Sequence, residues 1–183
     1  MVKSCMKKLK ILLTVVLFAL FGCTSKPDGI EPVNNFDLNP YLGKWYEIAR
    51  FDQSFQKGCT AVTAEYSLRK DGDIKVVNSC RLGSPEGKLK KGIGRAWIVD
   101  RDSNAKLKVQ FFLRRFKIPF LSGDYWILDL DADYRYAIVG DKSRKYLWIL
   151  SRTKEMDAGL YTDLVNKAKD MHCDTSKLIK TVH

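Results

Sequence analysis

The chain has 183 residues, of which 45% are hydrophobic and 29% charged, and its formal net charge is +11 at pH 7. This composition is that of one globular domain with a sizeable core, which excludes a chain that is disordered throughout. The first 22 residues carry four lysines and no acid, so the remainder has 28 basic against 21 acidic residues. The excess favours an anionic partner surface. Because the cations are scattered and no nucleic-acid motif occurs, nucleic acid is not expected.

The chain opens with a basic segment, Lys3 to Lys10, followed by an apolar run of eleven residues from Ile11 to Phe21. A bilayer-spanning helix needs about 20 residues, so residues 1–22 are predicted to be a secretory signal peptide. Leu20-Phe21-Gly22-Cys23 ends the run and resembles the lipobox of bacterial lipoproteins. The alternative is ordinary cleavage near Gly22, which would leave Cys23 as a thiol.

The lipobox resemblance implies that Cys23 is acylated and becomes the first residue of the mature chain. An aspartate directly after the lipidated cysteine would resemble the inner-membrane retention signal, but this position is Thr24. The resemblance therefore implies a location in the outer membrane, on its periplasmic face. Residues 23–36 contain two prolines and a glycine and no apolar period. This composition predicts a flexible tether, with the folded domain over residues 37–183.

Short segments with alternating apolar residues, separated by turn signals, predict an all-β barrel or sandwich. A strand is expected from Trp45, and seven more over 60–69, 74–81, 90–99, 106–113, 123–130, 135–140 and 146–151. Lys70-Asp71-Gly72-Asp73 predicts a two-residue hairpin turn. An apolar stripe then predicts one helix, with a last short strand over 177–182; the stripe consists of Met156, Leu160, Leu164 and Ala168.

Three motifs, in order, resemble those of the lipocalin family: Gly43-x-Trp45, the partial match Asp133-Tyr134, and Arg152 after the eighth strand. The resemblance implies an eight-stranded antiparallel up-and-down barrel with one C-terminal helix and a short ninth strand, closed around an apolar ligand. It also implies that Arg152 lies across the Trp45 ring and seals the floor.

The sequences of residues 45–51 and 146–152 are most similar to those of the bacterial lipoprotein lipocalins and their animal relative apolipoprotein D. That subgroup implies binding of fatty acids and lysophospholipids, and upkeep of the envelope under stress. Another apolar ligand, such as haem or a pigment, and an envelope protein that binds nothing in its interior are the alternatives. The sequence leaves a homodimer open.

Strand parity gives the expected lining of the interior. If Trp45 points inward, Glu47 and Ala49 on the same strand also point inward. If Arg152 points inward, so do Trp148 and Tyr146 on the eighth strand. The apolar faces of the other strands add Val62, Ala64, Tyr66, Val76, Asn78, Val109, Phe111, Tyr125, Ile127, Ala137 and Val139. The small side chains favour an acyl-sized cavity over a solid core, and Glu47 is expected to pair with a cation or hydroxyl near the floor.

The segment from Arg114 to Leu121 mixes three cations with four large apolar side chains. It connects the fifth and sixth strands and is predicted to lie at the open end of the barrel. A membrane-touching lip and a loop folded over the pocket are the two alternatives.

Beyond Cys23, three cysteines follow, and they cannot all pair. We favour a Cys59–Cys80 bridge, although counting from the predicted hairpin turn places residue 84 opposite Cys59, so a bulge is required. Cys59–Cys173 instead resembles the apolipoprotein D arrangement. No Cys-x-x-Cys pair, Gly-x-Ser-x-Gly motif or histidine outside the C-terminal region occurs, so we expect no metal, no cofactor and no enzyme activity.

Overall fold

A computed structural model describes residues 29–183. The predicted signal peptide and Cys23 lie outside this range. The elements are helix α1 (Leu38–Tyr41), strands β1 (Gly43–Phe51), β2 (Cys59–Leu68), β3 (Ile74–Leu82), β4 (Leu89–Ile98), β5 (Lys106–Gln110), β6 (Gly123–Leu130), β7 (Tyr136–Gly140) and β8 (Leu147–Ser151), helix α2 (Ala158–Asp170), and β9 (Leu178–Lys180).

The eight strands form a closed antiparallel barrel. Each strand pairs with the next, and β1 pairs with both β2 and β8, which closes the sheet. β9 adds to β1 over Ala49–Phe51. Connectors therefore alternate between two ends: the floor, beside α1, and the mouth, where β1 ends. Between residues 29 and 183, no helix has the length and apolarity to span a bilayer.

Alternation along the strands separates two apolar clusters. One fills the interior around Trp45, while the other lies between the outer face of the barrel and α2. Leu164 and Ala168 of the predicted stripe are buried there, and the Asp157 side chain caps the helix by accepting from the Leu160 N–H at 3.0 Å. Met156 packs on the same cluster but precedes the helix.

The hairpin between β2 and β3 differs from the prediction. Its loop has more than two residues, because Leu68 pairs with Ile74 and the Arg69 N–H donates to the Asp73 carbonyl, which leaves residues 70–72 as the turn. Gly72 takes the left-handed conformation that such a loop needs, with φ of 80°. A bulge between Thr60 and Thr63 then shifts the register once more.

These two shifts together place Leu82, rather than residue 84, opposite Cys59. Cys80 is thereby the diagonal neighbour of Cys59, with a Cα–Cα distance of 5.4 Å, and the two form the predicted disulfide. Cys173 is a free, buried thiol, and its burial raises its pKa above the ordinary value.

The segment before α1 is packed on the barrel. Ile30 and Phe36 are buried, and the Val33 N–H donates to the Ile127 carbonyl at 2.8 Å. Composition alone assigns residues 30–36 to the tether, but their apolar side chains extend the domain toward the N-terminus.

Candidate ligand-binding interior

The floor is built around Trp45, which is fully buried. Its indole N–H donates to the Tyr41 carbonyl of α1 at 2.8 Å. The Arg152 guanidinium lies 3.9 Å from the ring centroid and donates to the carbonyls of Lys44 and Pro40, at 2.8 and 2.6 Å. Gly43, at φ of 92°, lies against this guanidinium and takes a backbone conformation that L-residues avoid. The predicted Trp45–Arg152 contact is therefore present and joins β1, α1 and the end of β8.

The turn between β6 and β7 is organised by Asp131, two residues before the motif residue Asp133. The Asp133 side chain is 79% exposed, whereas Asp131 is buried. Asp131 accepts from the backbone N–H groups of Asp133 and Arg135 and from the Arg135 guanidinium, which holds its pKa at about 2. Tyr134 is placed as the motif implies: it packs on the interior cluster, and its carbonyl accepts from Arg152.

Above the floor, three tyrosine hydroxyls meet inside the barrel. Tyr125 lies between Tyr41 and Tyr66, with both O···O distances at 2.7 Å. Burial raises the pKa of all three phenols above their ordinary value. The interior is therefore apolar at its walls but carries a neutral hydrogen-bonding group at depth. Strand parity does not identify Tyr41, because this residue belongs to a short helix.

Most of the predicted lining lies in or against the interior cluster. The members confirmed in this position are Ala64, Tyr66, Val76, Val109, Phe111, Tyr125, Ile127, Ala137, Val139 and Trp148. Val62 is buried beside the Cys59–Cys80 disulfide. Tyr146 lies at the mouth, stacked on Trp148 with ring centroids 6.0 Å apart and beside the exposed Phe55. The ring of Phe111 fills the space that Gly92 and Gly94 leave.

The placement of Ala49 in the lining is wrong. A bulge at Ile48 shifts the register, so that Glu47 pairs with Leu150 but Ala49 pairs with Ile149 in the cluster under α2. Beyond the bulge, parity is reversed, and Arg50 pairs with Trp148 on the interior side. A two-residue alternation does not anticipate this, because the bulge depends on β8, which lies about a hundred residues away in sequence.

Glu47 and Arg50 form a buried ion pair, with Oε1 and Nη1 2.8 Å apart. The Glu47 carboxylate also accepts from the Gln56 amide at 2.7 Å and from the Thr181 hydroxyl at 2.6 Å. Gln56 in turn accepts from the Trp148 indole at 3.0 Å. The expected pairing of Glu47 with a cation and a hydroxyl is thus confirmed, but its location is not: the partners lie toward the mouth rather than near the floor. We call this group of Glu47, Arg50, Gln56 and Thr181 the polar belt.

The mouth half of the interior is open to solvent. Asn78 shares the face of Val76, and its neighbours across the sheet are Ala64 and Gly92, yet it is exposed. Two residues from Gly92 on β4, Lys90 has the same parity and donates to the Phe55 carbonyl at 3.2 Å. The interior face therefore runs from an apolar floor half to an amide and an ammonium near the rim.

Two surface clefts lie outside the barrel. One, of about 580 Å³, is lined by the segment before α1 and the β4–β5 connector, including Glu31, Asp100 and Lys106. The other, of about 500 Å³, lies beside Phe51, Arg144 and Lys177. Neither is lined by residues of the interior face.

Comparison with known proteins gives a match to the lipocalin-like domain family over residues 36–183. The chain is 40% identical to the outer membrane lipoprotein Blc of Vibrio cholerae, covering 95% of this chain and 97% of the relative. It is 34% identical to apolipoprotein D of Cavia porcellus, covering 80% and 77%. Among solved structures, insecticyanin of Manduca sexta matches with a TM-score of 0.66 at 24% identity, covering 84% of each chain, which supports the fold alone.

Proposed function

The chain belongs to the lipocalin family, and on that premise we propose that its barrel binds single-chain lipids, namely fatty acids or lysophospholipids. Lipocalins are ligand carriers rather than enzymes, so binding and release of a hydrophobic ligand is the activity to explain. The observation that carries the proposal is the gradient along the interior face: apolar walls below, and Asn78 and Lys90 at the open end. A single-chain lipid has the same order, because its apolar acyl chain is followed by a polar or anionic head group.

The lower end of that gradient limits how deep a ligand can reach. The floor half is filled by buried side chains, and the tyrosine hydroxyls lie directly above it. The acyl chain would lie above the tyrosines, against Ala64 and Phe111. Phe111 lies against two glycines, so its ring can turn without meeting a Cβ from either of them. We expect this ring to move when the ligand enters.

The head group would meet Lys90, and the two neighbouring lysines on β4 provide a matched test. Lys90 lies on the interior face and Lys91 on the outer face, and both side chains are exposed. Replacement of Lys90 by glutamine should weaken fatty acid binding about fivefold, as expected for one exposed charge contact, while Lys91→Gln should leave it unchanged. Quenching of tryptophan fluorescence on titration with a fatty acid measures both.

Equal effects of the two substitutions would refute the head-group position but not lipid binding itself. Native mass spectrometry of the protein extracted from the envelope tests the latter, since a bound fatty acid or lysophospholipid adds its own mass. A haem or pigment would instead give visible absorbance, and a chain without any adduct that also fails to respond to fatty acids would overturn the proposal.

We further propose that an acylated Cys23 anchors the chain in the outer membrane, on the periplasmic face, where it stores or carries lipids during membrane maintenance or stress. The support is the lipobox-like sequence and a relative that bears the name outer membrane lipoprotein. Radiolabelled palmitate should be incorporated into the protein and lost in Cys23→Ser. Label that persists in this variant would contradict the anchor.

A further inference from the structure

The three tyrosine hydroxyls inside the barrel have one proton more than they have hydrogen bonds. Each hydroxyl can donate once. The cluster contains two bonds, Tyr41–Tyr125 and Tyr66–Tyr125, both with O···O distances of 2.7 Å. Within residues 29–183, no other side-chain or backbone group lies at hydrogen-bond distance from these three oxygens. Whichever way the hydroxyls turn, one donor is therefore left over, and a buried donor without an acceptor is unfavourable.

Tyr125 is the member that can offer this donor to a ligand. Tyr41 and Tyr66 are only 2% and 7% exposed, whereas Tyr125 is partly buried. Tyr125 is also the central member, so both other hydroxyls can donate to its oxygen while its own proton points elsewhere. Once a ligand oxygen accepts from Tyr125, all three protons are bound, and the two incoming bonds strengthen the outgoing one.

The space on the mouth side of Tyr125 is open. Gly123 lies two residues before Tyr125 on the same face of β6 and pairs with Val109. Apart from its adjacent residues, a Cβ atom at Gly123 would have only the Val109 side chain as a neighbour, at 4.0 Å. The missing side chain therefore leaves a path along β6 from the mouth to the Tyr125 hydroxyl.

The connector that leads into β6 is not folded over this path. Lys117 reaches the Asp73 carboxylate, at the floor end of β3, at 2.8 Å. Arg95 lies on the outer face of β4 and donates to the carbonyls of Arg114 and Arg115, at 3.2 and 3.1 Å. This segment is thus held along the outer wall, in contrast to the second of the two arrangements considered from sequence.

The surroundings of the cluster favour a neutral oxygen as the acceptor. Burial raises the pKa of Tyr41 and Tyr66, while the positive charge of Arg152 acts in the opposite direction. An oxygen with partial negative charge is favoured in this field. A buried carboxylate would need a cation in direct contact, but the Arg152 guanidinium lies on the Trp45 ring and donates to three backbone carbonyls at the floor. A hydroxyl or carbonyl oxygen satisfies both conditions.

The depth of the cluster determines which part of a ligand it meets. Lys90, where the head group would lie, pairs with Cys80 on β3, and Tyr66 pairs with Val76 on the same strand. These two levels are four residues apart, about 13 Å along the strand. An extended acyl chain covers this distance in about ten carbon–carbon bonds. The tyrosines therefore meet the far end of a chain of about twelve carbons.

We propose that the barrel prefers acyl chains with a second oxygen, a hydroxyl or carbonyl at the end opposite the head group, which accepts a hydrogen bond from Tyr125. The inference rests on the lipid binding proposed above and adds a ligand class to it. The apolar walls bind the chain, and Tyr125 discriminates between chains of equal length by whether the far end carries an acceptor. A chain with an apolar end leaves the extra donor buried and unpaired.

Three acids of equal chain length test this preference: laurate, 12-hydroxylaurate and its isomer 3-hydroxylaurate, whose hydroxyl stays near the head group. Isothermal titration calorimetry with the full chain gives the dissociation constant of each. We expect 12-hydroxylaurate to bind about fivefold more tightly than laurate, as one added hydrogen bond would give, and 3-hydroxylaurate to bind like laurate. Equal dissociation constants for the two isomers would overturn the preference and leave lipid binding intact. Absence of binding by all three would overturn both proposals.

Substitutions in the cluster separate a ligand contact from a purely structural role. In Tyr125→Phe the preference should reverse, with laurate bound about fivefold more tightly, because the ligand hydroxyl is then buried without a partner. Tyr66→Phe keeps the Tyr125 donor but removes one incoming bond, so the preference should fall to about twofold and keep its direction. Tyr161→Phe, in the cluster between α2 and the outer wall, is the control and should behave like the parent. A preference that persists in Tyr125→Phe overturns the proposal.

A second variant leaves the tyrosines intact, so the proposal stays open to refutation even if Tyr125→Phe does not fold. Gly123→Leu places a side chain in the open space on the mouth side of Tyr125. A ligand hydroxyl can then no longer reach Tyr125, and the preference for 12-hydroxylaurate over laurate should disappear. If the fivefold preference remains in Gly123→Leu, the path along β6 is wrong and the proposed contact is overturned.

Discussion

The buried pair between Glu47 and Arg50 permits a quantitative test of how the polar belt is built. Arg50 is 4% exposed and Glu47 3%. Replacement of Arg50 by methionine, of similar length, leaves the carboxylate in the interior with only the neutral donors of Gln56 and Thr181. Removing one partner of a buried pair costs about 3–5 kcal/mol, and the two remaining donors place the expected loss near the lower limit. The free energy of unfolding should therefore fall by about 3 kcal/mol.

The complementary change, Glu47→Gln, should cost about 2 kcal/mol, since Arg50 keeps the carbonyls of Gln56 and Cys59 but at 3.3 and 3.4 Å. The double variant Glu47→Leu/Arg50→Met removes both charges. Its loss in free energy of unfolding should be smaller than the sum of the two single losses by about 2 kcal/mol or more. Urea unfolding of the disulfide-intact protein, followed by tryptophan fluorescence, measures all three. The control is Arg101→Met on an exposed floor connector, expected within about 0.5 kcal/mol of the parent. Additive single and double effects would refute the coupling.

Three further predictions concern the floor and the tyrosines. Because the folded Asp131 carboxyl has a pKa of about 2, below its unfolded value, its stabilisation is present above about pH 5 and is lost as pH falls. Asp131→Asn should remove this pH dependence and lower the free energy of unfolding at pH 7 by about 1 kcal/mol. The expected loss is small because its partner Arg135 is two-thirds exposed to solvent. The control Asp133→Asn should leave the free energy of unfolding unchanged in the same urea experiment. Arg152→Lys loses the planar contact with Trp45 and its fork of carbonyl bonds, so the free energy of urea unfolding should fall by about 2–3 kcal/mol. Burial raises the pKa values of Tyr41, Tyr66 and Tyr125 above the unfolded value of about 10. In the folded protein these three phenols therefore stay neutral at a pH at which an exposed tyrosine ionises. In an absorbance titration at alkaline pH, at least three of the eight tyrosines should stay protonated until the protein unfolds, and native ionisation of all eight would contradict the buried cluster of Tyr41, Tyr66 and Tyr125.

Local sequence was sufficient for the strands and for an all-β class, either a barrel or a sandwich, whereas the closed eight-stranded barrel was implied by the family resemblance. Alternation with a period of two requires only that one face of each strand be buried, and a closed barrel satisfies this on every strand. The interior positions of Tyr66, Val76 and Val139 follow from their own segments, without knowledge of a partner strand. The Trp45–Arg152 contact, in contrast, came from the family resemblance, since no local pattern links two residues that are far apart in the chain.

The errors have two causes: one depends on a contact with a distant strand, and the other on a choice between local turns of similar composition. Ala49 faces outward because β8 imposes a bulge one residue earlier. The β2–β3 register is set partly by a loop in which Gly72 supplies a left-handed residue, and a two-residue turn has nearly the same composition.

The bulge at Ile48 also explains how the mouth and the C-terminus are connected. Before it, β1 pairs with β2; beyond it, the same edge pairs with β9, and the Thr181 N–H donates to the Ile48 carbonyl at 2.9 Å. This change of partner brings the Thr181 hydroxyl to Glu47, while the reversed parity brings Arg50 to the same carboxylate. One extra residue in β1 thus assembles the polar belt from three separate segments. Because the C-terminal tail supplies one of them, loosening the tail should alter the same interior that we propose as the ligand-binding site.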